Sequence, residues 1–156
     1  MKPRIYIDTT IVSYLTAFPS RDLVRAAHQQ VTREWWATRG AFDLYASQVV
    51  IKEALAGDPV AAAERLEALR QASLLAVTEE AIALGEALVR GGGLPLKAAA
   101  DALHVAVAAI HGMEYLVSWN CTHIANVTLR GRIEAICREG GVEPPAICTP
   151  IEFVEE

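Results

Sequence analysis

The sequence predicts an α/β protein, a three-layer α/β/α sandwich with a mainly parallel central sheet. Three observations lead there. Short β-branched and aromatic runs alternate with segments of helical period along the whole chain. The 156 residues fit one domain, residues 1–156, long enough to bury roughly 70% of the surface that the unfolded chain exposes. Finally, Ala98 to Ile110 is apolar on every side of a helical projection except at Asp101 and His104, as expected of a helix buried all round.

Arg4-Ile5-Tyr6-Ile7 reads as the first strand, with Asp8 at its C-terminal end, and Ile11, Val12 and Leu15 then switch the pattern to helical spacing. Pro19-Ser20 breaks the chain, and Ser20 or Asp22 can cap a long helix towards Arg39, with Gly40 just past its end. Leu23, Ala27, Val31 and Trp35 share its expected core face, and Trp36 lies about 100° further round, so both rings are expected in the core if that face is wide. Phe42 to Ala46 is a second strand. Ser47 is a natural N-cap for a helix from Gln48 to Ala56, which carries Glu53 and ends at Gly57-Asp58-Pro59.

Another helix runs from about Val60 to Gln71, with Glu64, Arg65, Glu67 and Arg70 as a solvated face. Leu74 to Val77 is a third strand, and Thr78-Glu79-Glu80 opens a helix towards Val89 that ends at Gly91-Gly92-Gly93. No strand feeds these glycines and no Lys-Ser/Thr follows them, so they read as a helix exit, not a phosphate cradle. Pro95 then begins the buried helix, Gly112 ends it, and Tyr115 to Trp119 forms a fourth strand with Asn120 leaving its end. Thr122 can cap a short turn carrying His123 and Asn126, before a helix from about Leu129 to Arg138. Pro144-Pro145 leads into a last strand, Ala146 to Cys148, and Thr149-Pro150 starts a final turn.

Composition narrows the function classes. Hydrophobic residues make up 53% and charged ones 21%, which argues for a folded core and against disorder. The net charge of −5 gives no overall cationic field, so a nucleic acid would have to be met by a local basic patch. It leaves room for a nuclease, whose metal ligands are themselves acidic. Cys121, Cys137 and Cys148 form no CxxC pair, which speaks against a disulfide framework or structural zinc and for a reducing cytoplasm. Only three apolar residues separate Lys2 and Arg4 from Asp8, too few for a signal segment, and Asp101 and His104 interrupt the one candidate membrane span. No membrane association is expected.

In open α/β sheets ligands sit beyond the carboxyl ends of the strands, where Asp8 and Asn120 are expected. Asp101 lies about a turn into a helix, where the dipole favours a negative group, yet an unpaired buried charge is costly. Asp8, Glu53, Asp101 and Asn120 therefore look related. Three carboxylates and an amide gathered at one sheet edge repel one another unless a divalent cation sits among them, and all-oxygen ligands suit Mg²⁺ or Mn²⁺ better than zinc. Each residue also has an ordinary structural role open to it. Asp8, Thr9 or Thr10 can cap the first helix, Glu53 can be an exposed helix residue beside Lys52, and Asn120 can cap the Thr122 turn. His104, three residues after Asp101, is expected to hydrogen-bond that carboxylate.

At these residues the chain resembles a known family. IYIDTTIVSYL at the start, VIKEAL in the middle, AAADALHVAVAAIHGMEYLVSWN further on and ICTPIEF at the end are similar to the successive motifs of PIN domains, specifically the VapC-type ribonuclease toxins of prokaryotic toxin-antitoxin pairs. The resemblance implies an endoribonuclease that leaves a 3′-hydroxyl and a 5′-phosphate. It implies that Asp8 and Asp101 bind Mg²⁺ or Mn²⁺, and that Glu53 completes the acidic set and helps to hold metal or orient water. Thr9 or Thr10 serves as the small hydroxyl residue near the first Asp. A fourth position, often Asp in the family, is Asn120 here, which favours one metal over two because a neutral amide cannot offset a second cation's charge. His123 stands where relatives often carry another acid.

The partners implied are an RNA substrate, a cognate antitoxin protein and a second copy of the chain in a homodimer. An alternative from the interaction class is a PIN-like protein with weak or lost nuclease activity whose main role is antitoxin or RNA binding. A phosphotransfer domain built on Asp8 is disfavoured, because Asp8-Thr9-Thr10 lacks the second acid of a D-x-D nucleophile loop.

Overall fold

The computed structural model describes residues 1–153. Five short strands, β1 (Arg4–Ile7), β2 (Asp43–Ser47), β3 (Ser73–Leu75), β4 (Tyr115–Val117) and β5 (Ala146–Cys148), form one sheet in the order β3-β2-β1-β4-β5, with every pairing parallel. The helices are α1 (Thr9–Thr16), α2 (Leu23–Ala37), α3 (Gln48–Ala54), α4 (Pro59–Leu69), α5 (Glu79–Arg90), α6 (Ala99–Ile110) and α7 (Val127–Glu139). α1 packs on α2, α3 and α4, while α5 packs on α6 and α7, so the sheet lies between two helical layers. This is the predicted α/β/α sandwich, with a sheet that is wholly parallel.

β1 is central, and Ile5, Tyr6 and Ile7 are fully buried, as befits a strand covered on both faces. Strands are added on one side of β1 as far as β3, and the chain then returns through α5 and α6 to place β4 on the other side. The sheet's topological switch point is therefore between β1 and β4, the place where parallel sheets of this kind bind ligands.

Helix ends follow local chemistry. Asp8, Asp22, Ser47, Asp58, Thr78 and Asn126 each accept a backbone N–H from the first turn of the helix they cap. α6 closes in a Schellman motif: Gly112, at φ +67°, donates to the carbonyl of Ala109, and Met113 donates to that of Ala108. The triple glycine likewise ends α5, with Gly92 at φ +78°, while a Cβ on Gly91 would stand 2.7 Å from Cδ1 of Ile136. It is a close helix exit and no phosphate cradle.

Several expectations are corrected in the packing. Leu23 is 86% exposed and Ala27 is exposed as well, so neither joins the core. Gln29 and Thr32 are buried on that helix instead, with Gln29 accepting from Ser20 N–H and donating to the Phe18 carbonyl. Trp35 is fully buried, whereas Trp36 is half-buried, edge-on to Trp35 and covered by Arg39 at 5.3 Å. Arg65, expected on a solvated face, turns back to donate to the carbonyls of Ala54 and Ala56 at the end of α3. Among the described residues no helix is long and apolar enough to cross a membrane.

Candidate active site at the switch point

Residues just past the ends of β1 and β4 form the floor of the site. Ile7 pairs with Val117, so Asp8 and Ser118 emerge side by side. Asp8 is 2% exposed, and its carboxylate is held from several directions. Thr10 donates both its backbone N–H (3.1 Å) and its hydroxyl (2.5 Å) to Oδ1, and the Ser118 hydroxyl donates to Oδ2 at 2.6 Å. Asp8 thus caps α1 and faces the switch point at once. Burial pushes its pKa above the ordinary carboxylate range, and the nearby Glu53 charge adds to this. The His104 ring and the Ser118 and Thr10 hydrogen bonds oppose that rise without cancelling it.

Glu53 enters from α3 and joins a second network. Its Oε1 accepts from the Thr9 hydroxyl at 2.7 Å and pairs with Nε2 of His104 at 2.6 Å. Burial alone would raise the Glu53 pKa, but the neighbouring His104 ring and the Thr9 hydroxyl outweigh it, and the carboxyl is held below its usual value. His104 does not bond Asp101, as its spacing suggested. It lies 1% exposed between Glu53 and Tyr6, whose hydroxyl is 2.8 Å from Nδ1 and 2.7 Å from Oγ of Ser47.

Asp101 lies in the first turn of α6. Its side chain is 20% exposed and not enclosed, and Oδ2 pairs with Nδ1 of His123 at 3.0 Å. Asn120 caps the turn after β4: its Oδ1 accepts the His123 N–H at 3.1 Å and its own N–H donates to Oγ of Ser118. A continuous path of hydrogen bonds, two of them through the backbone N–H groups of Asn120 and His123, therefore runs from Asp8 through Ser118, Asn120 and His123 to Asp101.

All four predicted residues surround the switch point, in two linked groups. Asp8 and Glu53 feel each other's charge and are held by the consecutive hydroxyls of Thr9 and Thr10. Asp101 and Asn120 are joined through His123. Among the described residues no three Asp, Glu, His or Cys side chains stand close enough to hold one ion as they are now turned. The donor chemistry nevertheless fits a hard divalent cation. A buried carboxylate beside a second one gains from a positive charge, and each of the three acids keeps one oxygen or lone pair beyond its present contacts.

Sequence reasoning missed Ser118, Tyr6 and Ser47. The one available signal for Ser118 was its place beside Asn120 at a strand's C-terminal end. Nothing local marked Tyr6, which read as an ordinary strand residue, and Ser47 was legible only as the N-cap of the following helix.

Comparison with curated proteins finds no match. The profile of the PIN domain family matches residues 5–120, about three quarters of the 156-residue chain, spanning β1 to Asn120 and thus every acid of the site. PIN domains are generally metal-dependent nucleases, and RNA is the substrate such a domain suggests. The chain belongs to the PIN domain family.

Proposed function

We propose that this protein is a metal-dependent endoribonuclease, formed by a single PIN domain and acting as the VapC-type toxin of a toxin-antitoxin pair. The observation that carries the nuclease reading is the buried Asp8, raised above its usual pKa, beside Glu53 at the switch point of a parallel sheet. Asp8, Glu53 and Asp101 would hold Mg²⁺ or Mn²⁺. The cation, when bound, supplies charge against the phosphoryl oxygens and acidifies water. Thr10 and Ser118 fix the two oxygens of Asp8, and Thr9 and His104 fix one oxygen of Glu53, which orients the attacking water. In-line attack at phosphorus leaves a 5′-phosphate and releases a 3′-hydroxyl. Asn120 sets the turn that carries His123 beside Asp101.

The partners in this reading are RNA, a homodimer mate and a small antitoxin, whose Arg or Lys would take the place of the cation among the acids. Purified protein should cleave single-stranded RNA with Mg²⁺ or Mn²⁺ and lose that activity in the Asp101→Asn variant. Absence of cleavage with either metal, or cleavage that survives the substitution, removes the reading.

One observation favours a weaker enzyme whose main role is binding the antitoxin: Asn120 uses its side-chain oxygen on the His123 N–H. Asn120→Asp separates the two readings. A large gain in metal affinity and cleavage supports the binding role, and robust wild-type cleavage excludes it.

A further inference from the structure

His104 is buried, carries both ring nitrogens in short contacts and belongs to no acid set, so its role needs a separate account. Four elements meet through it: Ser47 at the end of β2, Tyr6 on β1, His104 on α6 and Glu53 on α3. The protons in this chain can be placed by elimination. Ser47 Oγ accepts the Val49 N–H at 3.3 Å and keeps its own hydrogen for Tyr6. Tyr6 then donates to Nδ1 of His104, and Nε2–H donates to Glu53. Burial raises the Tyr6 pKa, the Asp8 and Glu53 charges add to it against the Ser47 hydrogen bond, and the phenol keeps its proton.

The other arrangements fail. With the proton on Nδ1, the bare Nε2 lone pair would face a carboxylate oxygen at 2.6 Å, acceptor against acceptor. With both nitrogens protonated, Tyr6 would have to accept from Nδ1 and turn its hydrogen to Ser47. The Ser47 hydrogen would then have no acceptor among the described contacts, which is costly at a fully buried hydroxyl. Both hydrogen bonds to Glu53 fall on Oε1, and the residue borders a cavity of about 510 Å³ lined also by Gln48, Lys52, Ala100 and Leu103.

We propose that His104 is a positioning residue: locked as the Nε2–H tautomer by Tyr6 and Ser47, it clamps Oε1 of Glu53 and leaves Oε2 as the oxygen presented to the cleft. Its consequence for catalysis rests on the nuclease reading above, whereas its tautomer does not.

Two substitutions divide the ring's functions. In His104→Gln the amide N–H₂ can take the place of Nε2 against Glu53, while in His104→Asn the amide reaches only the Tyr6 side. Binding of Mn²⁺ alone, followed by calorimetry, is expected to stay within about threefold of wild type for Gln and to weaken tenfold or more for Asn. Melting temperatures should fall by similar amounts in both. On RNA the Asn variant should lose kcat with KM little changed. Nitrogen-15 spectra of the ring in metal-free protein should show a bare Nδ1 and a protonated Nε2.

Equal losses of Mn²⁺ affinity in both variants, in step with melting temperature, reduce His104 to a packing residue and overturn the proposal, as does a protonated Nδ1. Should either variant fail to fold, the wild-type ring spectra decide: a bare Nδ1 beside a protonated Nε2 supports the clamp, and a protonated Nδ1 refutes it. If wild type binds no Mn²⁺ or cleaves no RNA, the nuclease reading falls, and the ring spectra still decide for or against the clamp.

Discussion

Ser118→Ala removes one oxygen atom from the best-connected point of the site. That hydroxyl is fully buried, donates to Asp8 Oδ2 at 2.6 Å and accepts the Asn120 N–H at 2.9 Å. A hydrogen bond to a charged group contributes roughly 1.5–3 kcal/mol and a neutral one about 1 kcal/mol. The variant should therefore lose about 3 kcal/mol, or about 6–12 °C in melting temperature for a chain of this size. Asp58→Ala is a suitable control, since Asp58 caps α4 from an exposed position and its loss is expected to cost only about 1 kcal/mol.

The effect carries a pH signature. Asp8 has a raised folded pKa, so its protonated form is the one the fold favours, and that contribution is lost as pH rises through the folded value. The Ser118 bond offsets part of this loss by favouring the ionised form. The gap between wild type and Ser118→Ala should thus be widest at neutral pH and narrow on acidification through the Asp8 pKa. Thermal melts between neutral and mildly acidic pH read both quantities. A variant that melts within a degree or two of wild type at neutral pH, or a gap that widens with acid, would refute the assignment of this hydroxyl to an ionised Asp8.

Two further outcomes follow from the fold. Gly112→Ala places a side chain at φ +67° in the turn that ends α6, and should lower stability by about 1–2 kcal/mol without affecting metal binding, as melting and calorimetry can check. Of the three cysteines only Cys121 is exposed, and burial pushes the thiols of Cys137 and Cys148 up to about 11 and about 12. One thiol per native molecule should therefore react with an alkylating reagent near neutral pH and three after denaturation, counted by mass spectrometry.

Much of the architecture was legible because it rests on local signals. The apolar Ile5-Tyr6-Ile7 run of β1, the capping residues Asp22, Ser47 and Thr78, and the Gly-terminated helices each announce themselves within a few residues. The exposed Leu23 shows the limit of that reading. Periodicity identifies which face of α2 is apolar, but not how far along that face the core extends, and it passes over Gln29 and Thr32, which are buried because their polar atoms find partners. At the site, the acids were legible by type and position, since a carboxylate at a strand end or in an apolar helix is conspicuous. Their partners were not. His104 bonds residues 51 and 98 positions away, and Ser118 bonds one 110 positions away, distances at which sequence spacing carries no geometric information. The neighbour at i−3, Asp101, was the local choice for His104. The fold instead pairs Asp101 with His123 and leaves its side chain 20% exposed.

The central claim is that the switch-point carboxylates carry out RNA hydrolysis, and Asp8→Asn tests it most directly, because it alters one charge while keeping the side chain's shape. Cleavage of a labelled single-stranded RNA with Mn²⁺ should be present in wild type, yield 5′-phosphate ends, and fall by at least a hundredfold in the variant while circular dichroism shows an intact fold. Undiminished cleavage by folded Asp8→Asn protein would contradict the account.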